Sequence, residues 1–475
     1  MNPAALPPLQ MRRRLLAAAL LAALVNFYAL YPGLYHHDAW AYVQMLRTGN
    51  WHNWQPPLLA YLWIPLQWFW SGPQPMLALF LAGYWSGFVM LALSYRDEES
   101  RTLPYFVFAA AFFPMAINFN GQLVKDIAMS IAMLCAAGIA ALLLRGYFKR
   151  TRVAAGFMWL FLIMGGFFRA NAVFGMPPLI DLAISSVSPR WRAMGFVKRT
   201  IFAGLLALLF IPGHLIADSY IFRVRDIKPV SQLQIFDIGG IAYYSGHDGF
   251  KGFFGPGFVE KNRGPGCYTP RHWDTYGWGN CPEVYENLKP QFGAPLTKLW
   301  IDAIIAEPAA YLTHRLAHVN RFFQFLCKDC YELVQTGWQS GNQKEVTFTP
   351  NPVYNVIEWF SLKWSHSPFG PPYVYLLVCL AWMWASAGIR ERLTRHITFT
   401  LVSSGALYAL ALFVIGIAHE YRYIYWTMLT ALIAAPVIVA RVVMRKDLPA
   451  SLRFGPLVLI AAVVAFREIA VRFLL

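Results

Sequence analysis

The stretch YPGLYHHDAWAYVQMLRTGNWHNWQPPLLAYLWIPLQWFW, residues 31–70, decides how the rest of the chain is threaded. It follows a long apolar run and carries two histidines and an acid ahead of a second apolar run, PLLAYLWIPLQWFW (57–70). That second run is fourteen residues long, contains Pro65, and has four aromatic residues among its last eight. A crossing helix needs about 20 apolar residues, and aromatic rings gather where hydrocarbon meets water. The run is therefore expected to lie along the interface. A short helix near 39–47 precedes it, so 35–75 becomes one structured loop on a single face of a membrane.

The basic residues test this threading. Apolar runs of spanning length fall near 15–34, 76–95, 102–119, 127–145, 154–168, 172–188, 200–217, 372–388, 396–418, 421–443 and 455–471, about eleven helices in all. With 57–70 left out, alternate connections are the basic ones: YRDEESR (95–101), RGYFKRTR (145–152), RWRAMGFVKR (190–199), RERLTRH (390–396) and RVVMRKDLPASLR (441–453). The opposite connections, around NFNGQLVKD, FFRAN and AHEYRY, hold one or two cations each, as the positive-inside rule asks of outside loops. Counting 57–70 as a crossing would put every later basic loop on the wrong face. The expectation is an all-α polytopic membrane protein with its N-terminus, including Arg12–Arg14, in the cytoplasm.

Composition agrees: 57% of the 475 residues are hydrophobic and 13% charged. The net charge of +16 lies mostly in short clusters between apolar runs, where it sets orientation, so no nucleic-acid partner is expected. The first run lacks a small-residue cleavage site before Tyr31-Pro32 and reads as an uncleaved helix. One large hydrophilic block, 218–371, separates an N-terminal membrane module (1–217) from C-terminal helices (372–475) and is expected to be extracytoplasmic. Its first half is loop-like. Its second half carries helical periodicity across APLTKLWIDAIIAEPAAYLTHRLAHVNRFFQFL, with a break expected at Pro308. Four of six cysteines lie there: Cys267, Cys281, Cys327 and Cys330. An oxidising compartment favours disulfides, and Cys267–Cys281 and Cys327–Cys330 are the nearest pairs among three pairings.

Polar groups suited to chemistry collect on the outside face. Asp38, beside His36 and His37, either caps the helix that follows or acts as a general base. Lys125 and Asp126 open a span: the acid caps it or faces the same cavity as Asp38, and the lysine snorkels to headgroups or binds phosphate. Arg169 interrupts an apolar stretch on the face that should be poor in cations, which calls for an anionic partner. His419, Glu420, Arg422 and Tyr423 make a charged cluster beyond what an aromatic belt requires, with Arg422 placed for a lipid phosphate. His314, Arg315, His318 and Arg321 can line a groove for an acidic or sugar substrate, or form a solvated helix face. No P-loop, G-x-G-x-x-G, G-x-S-x-G or H-E-x-x-H is present, which disfavours nucleotide-driven and those hydrolytic chemistries.

In order along the chain, Asp38, TGNW (48–51), QPPLLAYLW (55–63), Asp126, LWIDAIIAEPAAYLTHR (299–315) and Arg422-Tyr423 resemble the motifs of the GT-C superfamily of integral-membrane glycosyltransferases. That superfamily includes protein O-mannosyltransferases and the lipid A aminoarabinose transferase. The resemblance implies an inverting hexosyl- or pentosyltransferase of the bacterial inner membrane with its site facing the periplasm. Its donor would be a polyprenyl-phosphate-linked sugar, and its acceptor a hydroxyl of a lipid, polysaccharide or protein. Asp38 would be the catalytic base, and Lys125, Arg169 and Arg422 the phosphate ligands. His36, His37, Asp126, His419, Glu420 and Tyr423 would contact substrate or support those groups. Many relatives carry two adjacent carboxylates where this chain has His36-His37-Asp38, so a divalent cation (Mg or Mn) on Asp38, His37 and Asp126 is an open cofactor. Two rivals remain: a flippase of a lipid-linked saccharide, and an O-antigen polymerase or ligase.

Overall fold

The computed structural model describes residues 8–34, 37–96, 101–148, 150–255, 257–264, 266–328 and 348–473, without the side chain of His37. Among them regular structure is helical, with only two isolated bridges, Leu34 to Gln122 and His52 to Arg225. The N-terminal module contains α1 (Leu9–Leu30), α2 (His37–Thr48), α3 (Pro57–Gln67), α4 (Gln74–Ser94), α5 (Leu103–Phe112), α6 (Pro114–Asn120), α7 (Lys125–Leu144), α8 (Thr151–Phe168), α9 (Ala172–Val187) and α10 (Phe196–Ile221). A middle segment follows with α11 (Ser231–Ser245), α12 (Ala294–Ala306), α13 (Pro308–Phe323) and α14 (Pro352–Ser365). Last come α15 (Pro372–Ser386), α16 (Arg392–Ile415), α17 (Tyr421–Val443) and α18 (Ala450–Phe473).

Eight of these, α1, α4, α7, α8, α10, α16, α17 and α18, are each long and apolar enough to cross a bilayer. The chain is an integral, polytopic, all-helical membrane protein. The eleven expected crossings are not all equivalent. The run at 102–119 is two helices, α5 and α6, bent by 56° at Phe113. Pro114 is the cause: it donates no N–H and drives the preceding Phe113 into an extended conformation (φ −61°, ψ 120°). Helices α9 and α15 are apolar but only 16 and 15 residues long. By contrast, α18 is a full 24 residues.

The opening stretch folds as α2 and α3. At 11 residues α3 is roughly 16 Å long, about half of the ~30 Å hydrocarbon core. Beyond it Trp68 and Phe69 are exposed (79% and 87%), and the chain reverses at Gly72. The Gln67 amide closes that reversal, donating to the Gly72 carbonyl at 2.8 Å and accepting from its N–H at 2.9 Å. Gly72 has φ +113°, which a side chain would strain.

Helix α7 is the axis of the bundle, its apolar window wholly buried, with α4 and α8 packed along it. Its two ends differ. After Leu144, Arg145 donates to the Ser94 carbonyl (2.8 Å) and pairs with Glu391 (2.8 Å), while Asp181 gathers His396 (3.0 Å), Trp191 (2.8 Å) and Arg199 (3.5 Å). The basic connections thus converge on one end of the bundle. A second, smaller core collects Ile235, Phe236, Ile238, Trp273, Tyr276, Val284, Leu288 and Leu296, with Trp54 and Ile417 packed against it. Helices α12 and α13 meet at the break before Pro308, which occupies the first turn of α13. Val319, Phe322, Phe323 and Tyr354 pack into the membrane core instead.

Candidate functional site

At the opposite end of α7 the starts of α2, α7 and α17 meet the end of α8. Asp38 lies in the first turn of α2 and Asp126 in the first turn of α7, where the helix N-terminus favours negative charge. Neither precedes its helix as a cap: α2 begins at His37, and Val124 holds the cap position of α7 without a side-chain bond. Arg169 terminates α8 in extended conformation, and Arg422 sits in a single 3₁₀ turn that opens α17.

One guanidinium links both acids. Arg422 pairs with Asp38 at 2.8 Å, reaches Asp126 at 3.8 Å and contacts Glu420. Arg169 pairs with Asp126 from the other side. Asp126 has no exposure, so it does not face a cavity as an open acid; it is the buried anion between two arginines that are themselves 4% and 8% exposed. The ring of Tyr423 lies under both cations, 4.2 Å from Arg169 and 5.5 Å from Arg422. Lys125 senses the charges of Asp38, Glu420, Arg169 and Arg422. Among the described residues it has no ion-pair partner of its own, so its ammonium is the cation not yet neutralised by contact.

Four further groups join the cluster that the sequence did not reveal. Gln55 donates to Asp38 at 2.6 Å. Tyr42, one turn after Asp38, is fully buried within electrostatic reach of Asp38, Arg422 and Arg169, and its hydroxyl has no hydrogen-bond partner among the described residues. From the small core come Asp274 and His272, 3.6 Å apart. Asp274 is pushed up to about 7 by burial and then by the negative charges of Glu420 and Asp38. His419 stacks on His272 (5.9 Å), and its Nδ1–H donates to the Arg271 carbonyl (3.1 Å). Burial and the neighbouring imidazole pull His419 down to about 4, so it is neutral at pH 7. The contacts of His419 with His272 and Arg271 join segments more than a hundred residues apart, which no local spacing can announce.

His314, Arg315 and His318 prove neither groove-lining nor solvated; all are buried. His314 bridges Asp237 (3.1 Å) and Tyr268 (2.8 Å), Trp300 donates to Asp237 (2.8 Å), and Arg315 contacts Asp237 and donates to the Gly416 carbonyl (2.7 Å). Gly240 makes room, since a Cβ there would meet the His314 ring at 2.1 Å. The network clamps α13 to the loop that leads into Glu420 and Arg422. Of the cysteines, Cys267 is bonded to Cys281; Cys330, and with it the pairing of Cys327, lies outside the described residues, as does His36. Among the described residues no three His, Cys, Asp or Glu converge to hold a metal ion, and the side chain of His37 is not among them.

An apolar cavity of about 450 Å³ runs alongside. Its floor is α7 (Ala128, Ile131, Ala132, Cys135, Ile139), and its walls come from α3 and α4 on one side and α8 on the other. Along α7 it extends from Ala128, two residues past Asp126, to Ile139; along α8 it ends at Phe168, the residue before Arg169. Leu79 and Phe157 on its walls are 45% and 53% exposed, so it opens on the surface of the bundle.

Fold and site together define a polytopic helical membrane protein with a buried ionic cluster at one end of α7 and an apolar cavity along the same helix. No family model matches the chain, and no curated protein does. Among solved structures it is similar to the archaeal oligosaccharyltransferase AglB from Archaeoglobus fulgidus in complex with an inhibitory peptide and a dolichol-phosphate. The TM-score is 0.35 with 9% identity, over 98% of this chain and 56% of that one. The chain thus spans about half the length of that protein, and a likeness of that size carries no argument.

Proposed function

We propose that the chain is an inverting glycosyltransferase that moves a sugar from a polyprenyl-phosphate donor to a hydroxyl of a cell-envelope acceptor on the outer, periplasmic face of a bacterial inner membrane. The observation that carries this reading is the apolar cavity that opens on the bundle surface and reaches Ala128 and Phe168, two residues past Asp126 and one before Arg169. A lipid chain with a phosphate head has that polarity, and it enters from the side. The positive-inside distribution supports the outer face.

In this site the isoprenoid chain lies between α4 and α8, and the phosphate meets Lys125 first, because the two arginines already hold carboxylates. The Tyr42 hydroxyl supplies a neutral donor. Asp38, 19% exposed and oriented by Gln55 and Arg422, takes the proton of the acceptor hydroxyl as its oxygen bonds to the anomeric carbon. The bond from that carbon to the phosphate oxygen breaks, and its electron pair leaves on the phosphate beside the cations. A single displacement inverts the anomeric centre. Guanidinium charge, with Arg422 touching both carboxylates, serves where a shared divalent cation would otherwise stand; no metal is assigned.

The test is transfer of a labelled sugar from a polyprenyl phosphate by purified protein. With membrane-inserted, folded Asp38→Asn the expected loss is about 10²- to 10⁴-fold. Transfer at the wild-type rate would remove Asp38 as base, and movement of the intact donor across vesicles without release of carrier phosphate would make the protein a flippase.

A further inference from the structure

We propose that the small core bears a saccharide subsite beside Asp38, in which the exposed indole of Trp278 carries a sugar ring of the acceptor and Asp274 meets its hydroxyls. The proposal rests on the transferase reading and narrows its acceptor to a glycan.

Trp278 is 61% exposed, yet it is not loosely held. Its ring stands edge-on to Trp273 (5.0 Å, 80°) and touches Trp54 (5.8 Å), and Tyr285 closes the group at 5.7 Å from Trp273 and 6.3 Å from Trp54. The residues that follow it in sequence are polar, with Asn280 and Glu286 exposed and Glu283 partly so. That separates it from Trp68 to Trp70, which follow an apolar interfacial helix. Asp274 and Trp278 project from one turn, whose backbone closes from Trp278 N–H to the Asp274 carbonyl at 3.0 Å. Gly279 lets that turn fold tightly, since a Cβ would meet the Thr275 Cα at 2.7 Å.

The platform is fixed to the proposed reaction centre by three ties. The Trp273 N–H donates to the Ile417 carbonyl (2.9 Å), in the loop that leads to Glu420 and Arg422. Trp54, in contact with Trp273 and Trp278, precedes Gln55, whose amide holds Asp38. The Cys267–Cys281 disulfide closes the segment that carries His272, Asp274 and Trp278. The segment is therefore ordered before a ligand arrives, which lowers the entropy cost of binding.

A pyranose has an apolar face of C–H bonds and a rim of hydroxyls. An exposed indole face next to a half-buried carboxyl matches both. The carboxyl, held near neutral pH between its two protonation states, can accept from or donate to a hydroxyl.

The experiment uses the full-length protein in nanodiscs on an array of envelope oligosaccharides and Ser/Thr peptides, with polyprenyl phosphate binding measured on the same samples. The expected result is retention on at least one oligosaccharide, about tenfold weaker in Trp278→Ala through loss of stacking and buried ring area, and largely restored in Trp278→Phe. Polyprenyl phosphate binding stays unchanged in both variants. Retention on peptides alone, on nothing, or on oligosaccharides with full strength in Trp278→Ala overturns the subsite. Oligosaccharide retention that depends on Trp278, in a protein that does not bind polyprenyl phosphate, upholds the subsite and fells the transferase reading instead.

Discussion

Replacing Arg169 by Met separates what the ionic cluster does for the fold from what it does for a ligand. Asp126 has no solvent exposure, and its partners are Arg169 in direct contact and Arg422 at 3.8 Å. Breaking a buried pair from one side typically costs 3–5 kcal/mol, because a charge is left without compensation. Arg422 remains near Asp126, so the expected loss for Arg169→Met is at the lower end, about 3 kcal/mol. Adding Asp126→Leu removes the stranded charge, while Arg422 keeps Asp38 at 2.8 Å and Glu420. Most of the lost stability should therefore return. Donor affinity should not return, because a charged hydrogen bond worth about 1.5–3 kcal/mol, roughly 10- to 150-fold, is gone in both variants. Equilibrium unfolding in mixed detergent gives the first quantity and binding of polyprenyl phosphate the second. A double variant no more stable than the single one, or one that binds donor like the wild type, refutes the reasoning.

Two other substitutions probe groups beside that cluster. Tyr42→Phe should leave stability level or slightly raised, since the buried hydroxyl has no partner among the described residues; the same change should weaken donor binding about tenfold, and the hydroxyl has no ligand role if affinity is unaltered. Asp274 gives a signature in pH. Its folded value of about 7 lies above the ordinary 3.8, so the stability tied to its proton is complete below 3.8 and is lost as the pH rises to about 7. Wild type should lose stability relative to Asp274→Asn across that window and run parallel to it above, and curves parallel throughout would contradict the coupling to Glu420 and Asp38.

The parts of the fold legible in the sequence were those written in nearest neighbours. That 57–70 is too short to cross followed from its length and aromatic end, and the break before α13 followed from Pro308. Asp38, Asp126, Arg169 and Arg422 were each legible as a charge next to an apolar run, and the structure brings all four together. What local pattern could not give was pairing. Asp126 reads as an open acid until Arg169 and Arg422 are seen to enclose it. His314 and Arg315 fall on a helix face whose partners, Asp237, Gly240 and Gly416, lie between 74 and 101 residues away. Gln55, His272 and Asp274 sit in segments rich in loop residues and Tyr42 on a short helix, and only their meeting gives them meaning. The run at 102–119 read as one span, whereas Pro114 breaks it at Phe113 with a 56° bend and α6 packs against α14.

The most direct measurement is the position of a bound polyprenyl phosphate in the full-length protein. The phosphate should lie within hydrogen-bonding distance of the Lys125 ammonium, beside Arg169 and Arg422, with the first isoprene units between α4 and α8 along Ala128, Ala132, Phe161 and Phe168. Density for the phosphate at another face, or for the chain outside that cavity, would contradict the account.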